Sequence, residues 1–540
     1  MTFGGALAMA IQTQGPSPSP AVVPGSGIFS SPVLLSLVIW TPVLVAAVIA
    51  VMPNPRGRFD ALIKQIAFFT NLALVFVLYV AYNQFLTNSL TAPTAFQLQE
   101  KLQWLPAIGA TYHLGVDGPG MLMLVLSALV GIVSVLASLG VRERVRQYFC
   151  LLLLVESSVT GAIVARDMFV LVLFWSAALV LITLLVLGWG GPRREPAAWR
   201  LVGYWGLGTV ALVLATMVLY AATGGTSFDM DVLLKAPLAP RVQMAVGAAL
   251  ILAAATRLPL FPLHGWARDF YAEAPVGVAV VVAGSATRMG GFLLLRALIA
   301  AEPEASHLLS PLVAGVAVLT VAYGGVAAMR AIDLRHAGAH LALVPGGITV
   351  FGLAALSPLS ITGSVLSLFT GGLAAALIVG VCFTTTERAN SRSLQLLRGL
   401  GPRMPKLAWL LVLAALALIG IPLMGSFPAE LMTFFGAFKN QPVGAFAVAA
   451  GLAGVAVAVA MLLNRVLFAS PNPDAPGVSD ASLGETWYLG VLAGGLLWVG
   501  MIPGGPKLPG TDSPIFDPGL VNVMTVGITD VTAPYTAPTK

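Results

Sequence analysis

Charge is scarce in this chain: 9% of its 540 residues are Asp, Glu, Lys or Arg, against about 25% in a typical soluble domain. Cysteine is scarcer, with only Cys150 and Cys382, far apart and each inside an apolar run. No Cys-x-x-Cys pair, haem motif or zinc spacing exists, which argues against a redox centre or metal site in this chain. Phosphate-binding loops and dinucleotide fingerprints are missing too, so no nucleotide site is expected. The small net charge of +6 sits mostly in short loops, where it sets topology and does not suggest nucleic acid. What fills the sequence is apolar: 58% hydrophobic residues and a mean hydropathy of +0.92. No soluble core of this length hides so much apolar surface. The expected fold class is an all-α polytopic membrane protein.

Roughly twenty apolar residues span the hydrocarbon core. That ruler gives about fourteen transmembrane helices, centred near Val38, Leu74, Ala128, Leu154, Phe174, Leu214, Ile251, Leu293, Val318, Leu343, Ala375, Ala415, Val455 and Val491. Residues 1–30 lack a basic n-region and end in Pro, Ser and Gly, which reads as a disordered lead and not a cleaved signal. N-terminal helices follow over 31–140, a first repeat over 141–300, a second over 305–468 and a final helix over 485–503; 504–540 is an exposed polar tail. Basic residues recur in every second loop: Arg56, Arg58 and Lys64; Arg142, Arg144 and Arg146; Arg193, Arg194 and Arg200; Arg268; Arg330 and Arg335; Arg388, Arg392, Arg398, Arg403 and Lys406; Arg465. The intervening loops hold fewer, and one carries Glu302 and Glu304. By the positive-inside rule the basic loops are cytoplasmic and both termini lie outside.

Two of the apolar runs are interrupted. Ala254-Ala-Thr-Arg-Leu-Pro-Leu-Phe-Pro-Leu-His-Gly-Trp266 places a fixed cation, two prolines and a histidine in or at the end of a spanning segment. A charge at bilayer depth costs between ~3 and ~15 kcal/mol, depending on the scale, so it marks function or a specific partner. Ile419-Gly-Ile-Pro-Leu-Met-Gly-Ser-Phe-Pro-Ala-Glu430 is a second break, each within a set of about five helices. Paired Pro/Gly breaks in two halves point to a transporter-like pair of inverted five-helix repeats with two discontinuous helices. Two independent proline kinks are the alternative.

Five strings occur in one order: Tyr112-His-Leu-Gly-Val-Asp-Gly118, Arg166-Asp-Met-Phe with Phe174-Trp175, Leu258-Pro-Leu-Phe-Pro-Leu-His-Gly-Trp266, Ala331-Ile-Asp-Leu-Arg335 and Gly425-Ser-Phe-Pro-Ala-Glu430. Together they resemble the antiporter-like membrane subunits of respiratory complex I, the M-type subunit of NADH:quinone oxidoreductase in particular. The likeness runs from about Tyr112 to Phe468. Mrp-type cation/proton antiporters and membrane-bound hydrogenases share the module, and these strings separate them poorly.

The resemblance implies a proton channel of two half-paths joined by a central polar axis. It implies a glutamate after the Phe-Trp pair, lysines on the first broken helix and the next one, histidines further on, and a charged residue on the second broken helix. Here Ser176 stands at the glutamate position, Arg257 and Arg288 at the lysine positions, and Gly371 and Pro345 at histidine positions; Glu430 matches the exit side. A buried lysine can release and regain a proton. An arginine costs about 8 kcal/mol to deprotonate at neutral pH. Five relay positions have thus lost their titratable group, which suggests a degenerate proton path with fixed charges and, in the extreme, a non-pumping scaffold.

Other residues carry two readings each. His264 either titrates near the cytoplasmic face or caps a helix. Glu430 either partners a buried arginine or caps a half-helix. Arg257 and Arg288 either face the axis or snorkel toward headgroups. Asp117 and Asp167 are caps or functional acids. Asp333 and Arg335 read as a solvated pair, and His340 as a core histidine or a substitute relay. Tyr323, Trp175 and Trp266 read as packing or interfacial residues.

The resemblance further implies a bacterial cytoplasmic membrane location and partners among other membrane-arm subunits, including neighbouring antiporter-like ones, and lipids. It implies no cofactor in this chain, with NADH, FMN, iron–sulfur clusters and quinone handled by other subunits.

Overall fold

The computed structural model describes residues 33–91, 96–233, 235, 238–299, 303–472 and 478–501. The lead at 1–30, the tail at 504–540 and Glu302 lie outside them.

Several helices begin where the sequence supplies a cap or a proline. Helix α1 (Leu34–Val51) and α2 (Asp60–Thr91) precede an antiparallel hairpin, β1 (Gln97–Leu105) and β2 (Ala110–Val116). Asp117 opens α3 (Gly118–Ala137) by accepting from Gly120 N–H, and Asp167 opens α5 (Met168–Trp189) by accepting from Phe169 and Val170. Between them runs α4 (Val145–Val164); α6 (Arg194–Ala222) and the short α7 (Met230–Leu233) follow. Proline occupies the first turn of α8 (Pro240–Arg257), where its missing N–H costs nothing.

The first break separates α8 from α9 (Gly265–Glu273). Residues Val276–Ile299 hold α10 (Val276–Val281), a π turn over Val282–Ala286, α11 (Arg288–Leu293) and a second π turn over Leu294–Ile299. Then come α12 (Pro303–Met329), α13 (Leu334–Leu341), α14 (Val344–Ala354) and the long α15 (Pro358–Arg388), opened by a Ser357/Ser360 capping box. The second break separates α16 (Pro405–Leu418) from α17 (Ser426–Phe438), before α18 (Pro442–Leu463) and α19 (Leu483–Met501).

Among the described residues, eleven helices are long and apolar enough to cross a membrane. The expected centres Ile251, Ala415 and Val491 fall outside that set, in α8, α16 and α19. The discontinuities read from Arg257–His264 and Ile419–Gly425 are present. The apolar windows of the spans at Val276–Ile299, Leu334–Ala354 and Pro358–Arg388 are wholly buried, whereas those of α2 and α18 bury about a third or less. The interior is therefore built from the segments that carry Arg288, His340, Pro345 and Gly371.

One expectation needs correction, because the fold is not purely α-helical. Gln97-Leu-Gln-Glu-Lys-Leu-Gln-Trp-Leu105 alternates with the strand period, and Gly109 turns the chain at φ 71. The hairpin is clamped to α1 by Glu100, which accepts from the Leu35 and Ser36 N–H groups.

The basic loops gather on one face. Lys64 donates to the Leu139 carbonyl, Arg146 to Met52, Arg144 to Gly188 and Arg465 to Met329, while Arg392 pairs with Glu273. The hairpin, Asp229 and the Asp117–Arg296 pair link the opposite ends of the helices.

Candidate functional site

The first break puts Arg257 at the last position of α8, fully buried. Its Nη2 donates to the Trp175 carbonyl at 2.7 Å, and its guanidinium carbon lies 4.2 Å from the Trp175 ring and 4.0 Å from the Trp205 ring. Trp266 packs edge-on against Trp205 at 5.1 Å and donates its indole N–H to the Thr256 carbonyl. A flat, weakly hydrated cation between two indole faces gains about 2 kcal/mol per good contact once desolvated. No carboxylate lies within ion-pairing distance of Arg257 among the described residues, and Nε and Nη1 have no hydrogen-bond partner there. Trp175 and Trp266 are thus parts of an arginine box, a role that hydropathy alone does not show.

Ser176, next to Trp175, donates to its own helix at the Val172 carbonyl, 2.7 Å. Arg288 is also buried; it follows one π turn, with Nε and Nη1 unpartnered among the described residues. Such turns recur where a helix must re-aim a functional side chain. Neither arginine snorkels.

Glu430 sits in the first turns of α17, buried over Gly420, where a Cβ would strike its carboxyl. No cation lies within 4.0 Å of it among the described residues, so the arginine partnership expected for Glu430 is not formed. Pro345 and Gly371 face one another instead of bridging polar groups: a Cβ at Gly371 would stand 2.6 Å from the Pro345 Cβ. One turn away, Thr349 and Ser367 share a hydrogen bond of 2.9 Å.

His264 holds the position before α9 but makes no capping bond, and its Nδ1 is buried without a partner among the described residues. Its ring lies 4.2 Å from Tyr323, which lies 5.8 Å from His340. One turn before His340, His336 lines a cavity of about 590 Å³ shared with Arg193, Arg200, Arg268, Glu273 and Arg392. His264, Tyr323 and His340 make a column of rings from the first break, with His336 one turn before His340 on the basic-loop side.

Asp333 is a helix cap, accepting from the Arg335 and His336 N–H groups. Arg335 is not its solvated partner. It is buried, donates to Thr386 Oγ1 and the Ala272 carbonyl, and stands 3.8 Å from Glu387. Asp117 caps α3 and also pairs with Arg296 at 2.6 Å.

At the hairpin, Asp229 binds His113 at 3.0 Å and Lys101 at 2.6 Å, and Arg166 pairs with Asp231 of α7. Protein cations therefore already neutralise this acidic group. Burial works to raise the Asp229 carboxyl, but the bonds from His113 and Lys101 outweigh it and hold it well below the usual carboxylate range. A depressed carboxylate stabilises the fold above its unfolded pKa and loses that contribution as pH falls through the folded value. Asp229→Asn is expected to loosen the hairpin at neutral pH and to weaken its response to acid, read by protease cleavage of 97–116 across a pH series. Equal cleavage of both proteins at neutral pH would show that Asp229 does not hold the hairpin.

Sequence reasoning missed Glu156, a buried carboxyl in the middle of α4. Its signal was available as a lone acid inside an apolar run, Leu151-Leu-Leu-Leu-Val-Glu156.

A family model described as NADH:quinone oxidoreductase/Mrp antiporter, TM, matches residues 165–456. The chain belongs to that family. A NAD(P)H-quinone oxidoreductase chain 4 of Trichodesmium erythraeum is 30% identical over 450 residues, 81% of this chain and 78% of the relative. Another chain 4, from Trichormus variabilis, is 29% identical over 402 residues, 74% of each chain. A chain of respiratory complex I from Thermus thermophilus superposes with a TM-score of 0.79 at 25% identity, over 92% of this chain and 99% of that one. A chain of the Mrp complex from Dietzia shares the fold at 18% identity, with a TM-score of 0.76 over 93% and 98%. In this family member Ser176, Arg257, His264, Arg288, His340 and Glu430 lie within the matched segment, whereas Glu156 precedes it.

Proposed function

We propose that this chain is an antiporter-like membrane-arm subunit of a complex I-type NAD(P)H:quinone oxidoreductase, contributing to redox-coupled proton translocation by the assembly. Within it, two relay positions carry fixed charge. The observation behind that reading is the Arg257 box: a guanidinium held by two indoles and a carbonyl, with Ser176 beside it. A group that keeps its proton can set a potential along the axis but cannot pass protons on. The titratable groups left on the axis are His264, His340 and Glu430.

The likeness to chain 4 proteins over more than two-thirds of both lengths supports this assembly over an Mrp-type antiporter, with which the chain shares the fold. Cofactors and quinone then belong to partner subunits, and this chain contributes helices to neighbouring antiporter-like subunits and to lipid. Purification of the tagged chain from its native membrane is the test. Flavin and iron–sulfur proteins that carry NAD(P)H oxidation are expected with it. Recovery with small membrane subunits alone would identify an antiporter, and recovery with a hydrogenase would place the module there.

The same reading has fourteen crossings arranged as two inverted five-helix repeats, both termini outside and the basic-loop face in the bacterial cytoplasm. Ser391→Cys, next to Arg388 and Arg392, is then expected to resist an impermeant thiol reagent in intact cells and to react after permeabilisation. Labelling from outside would reverse the orientation.

A further inference from the structure

Four Arg and Glu side chains lie buried within the helices without an opposite charge within 4.0 Å among the described residues: Arg257, Arg288, Glu430 and Glu156. Of these, Glu156 belongs to no motif and precedes the family-matched segment. It stands 11 residues after Val145 and 8 before Val164 on α4, which at the helical rise puts it about 17 Å and about 12 Å from the two ends. That is mid-bilayer depth.

Its surroundings are specific. Asn71 of α2 and Gly131 of α3 face it, and a Cβ on Gly131 would collide with Glu156 Oε1 and stand 2.8 Å from Asn71 Oδ1. The two oxygens thus converge on the space that only a glycine leaves open. Asn71 is 1% exposed; its Nδ2 donates to the Ala67 carbonyl at 3.2 Å, and its Oδ1 has no partner among the described residues. One amide hydrogen is committed to its own helix, and the amide oxygen is the Asn71 atom that lies with the carboxyl at Gly131. Two bare acceptors at this depth repel, and an ionised carboxylate there has no cation to offset its desolvation. One proton resolves both problems, because a carboxylic acid donates where a carboxylate only accepts.

We propose that Glu156 is a proton-binding site, a carboxylic acid held neutral in the membrane interior by donation to Asn71 Oδ1. Two side-chain oxygens suit a proton and are too few for a hard metal cation, which takes six or more. The site supplies a titratable carboxyl one helix before Ser176, where the family pattern has lost one. It rests on membrane placement and not on the identity of the surrounding complex.

Infrared difference spectroscopy of the purified assembly, wild type minus Glu156→Gln, tests it. The expected result is one protonated-carboxyl C=O band per chain at neutral pH, shifted by D2O and unchanged when potassium is replaced by sodium. Asn71→Leu removes the acceptor and is expected to move that band to higher frequency without abolishing it. A carboxylate signal in place of the acid band overturns the proposal, as does a band that sodium removes at constant pH, which would make this a cation site. The band reports on the chain whatever it is purified with. Its absence therefore overturns the Glu156 site alone, and a non-redox set of partners overturns the proposed function alone.

Discussion

Asp117→Ala is expected to cost more stability than any other single substitution on the hairpin face, about 4–6 kcal/mol in total. Removing one member of a buried ion pair costs about 3–5 kcal/mol, because the survivor is left charged and unsolvated. The survivor is Arg296, 7% exposed, which pairs with Asp117 at 2.6 Å and otherwise meets the rings of Phe292 and Phe96. Arg166 lies over the same Phe96 ring, 3.3 Å from its centroid, so a second guanidinium adds repulsion once the carboxylate is gone. Loss of the Gly120 cap adds about 1 kcal/mol. Thermal unfolding of the purified assembly in detergent reads the effect. The double variant Asp117→Ala/Arg296→Met is expected to recover most of it, since the stranded charge and not the missing contact carries the cost. A double variant as unstable as the single would show that α3 capping dominates.

What the sequence made legible was whatever costs free energy in a membrane. Prolines and glycines inside apolar runs marked both breaks, and α8 and α16 stop at Arg257 and Leu418 as that reasoning requires. Alternation of Lys and Arg along the chain named the loops that the structure gathers on one face. The partners of buried charge were much less legible. Arg257 is held by rings and a carbonyl from α5 and α6, and nothing in a linear pattern says that Trp175 and Trp205 meet around it. The motif matches Glu430 to the exit side, as an arginine's partner or a cap, and in the structure its carboxyl lies over Gly420. The hairpin escaped because an apolar ruler counts helices and ignores period-two segments between them. Glu156 belongs to no motif, although an acid in the middle of α4 is as costly there as Arg257 is at the first break.

Restoring two of the five lost family residues is expected to leave the proton-to-electron ratio of the assembly unchanged. Ser176→Glu with Arg257→Lys puts a carboxylate and a titratable amine at the first break, and that pair alone can exchange a proton. The Lys exchange also gives up the flat contact with both indoles, so some stability is lost with it. Beyond the pair the axis stays closed, because Pro345 and Gly371 are packed against each other where the family places histidines. Gly371→His would set its Cβ 2.6 Å from the Pro345 Cβ, tighter than real side chains tolerate, and overpacking of this kind costs about 1–3 kcal/mol or more. The single variant Gly371→His is therefore expected to destabilise α14 against α15 and not to conduct. Vesicles reconstituted with the assembly, scored for protons moved per electron, decide the matter. A higher ratio in the Ser176→Glu/Arg257→Lys variant would mean that water already threads past Pro345 and Gly371. A lower ratio on His340→Phe in the otherwise unmodified protein, with assembly and electron transfer intact, would mean that the His264–Tyr323–His340 column carries protons although Arg257 and Arg288 keep theirs.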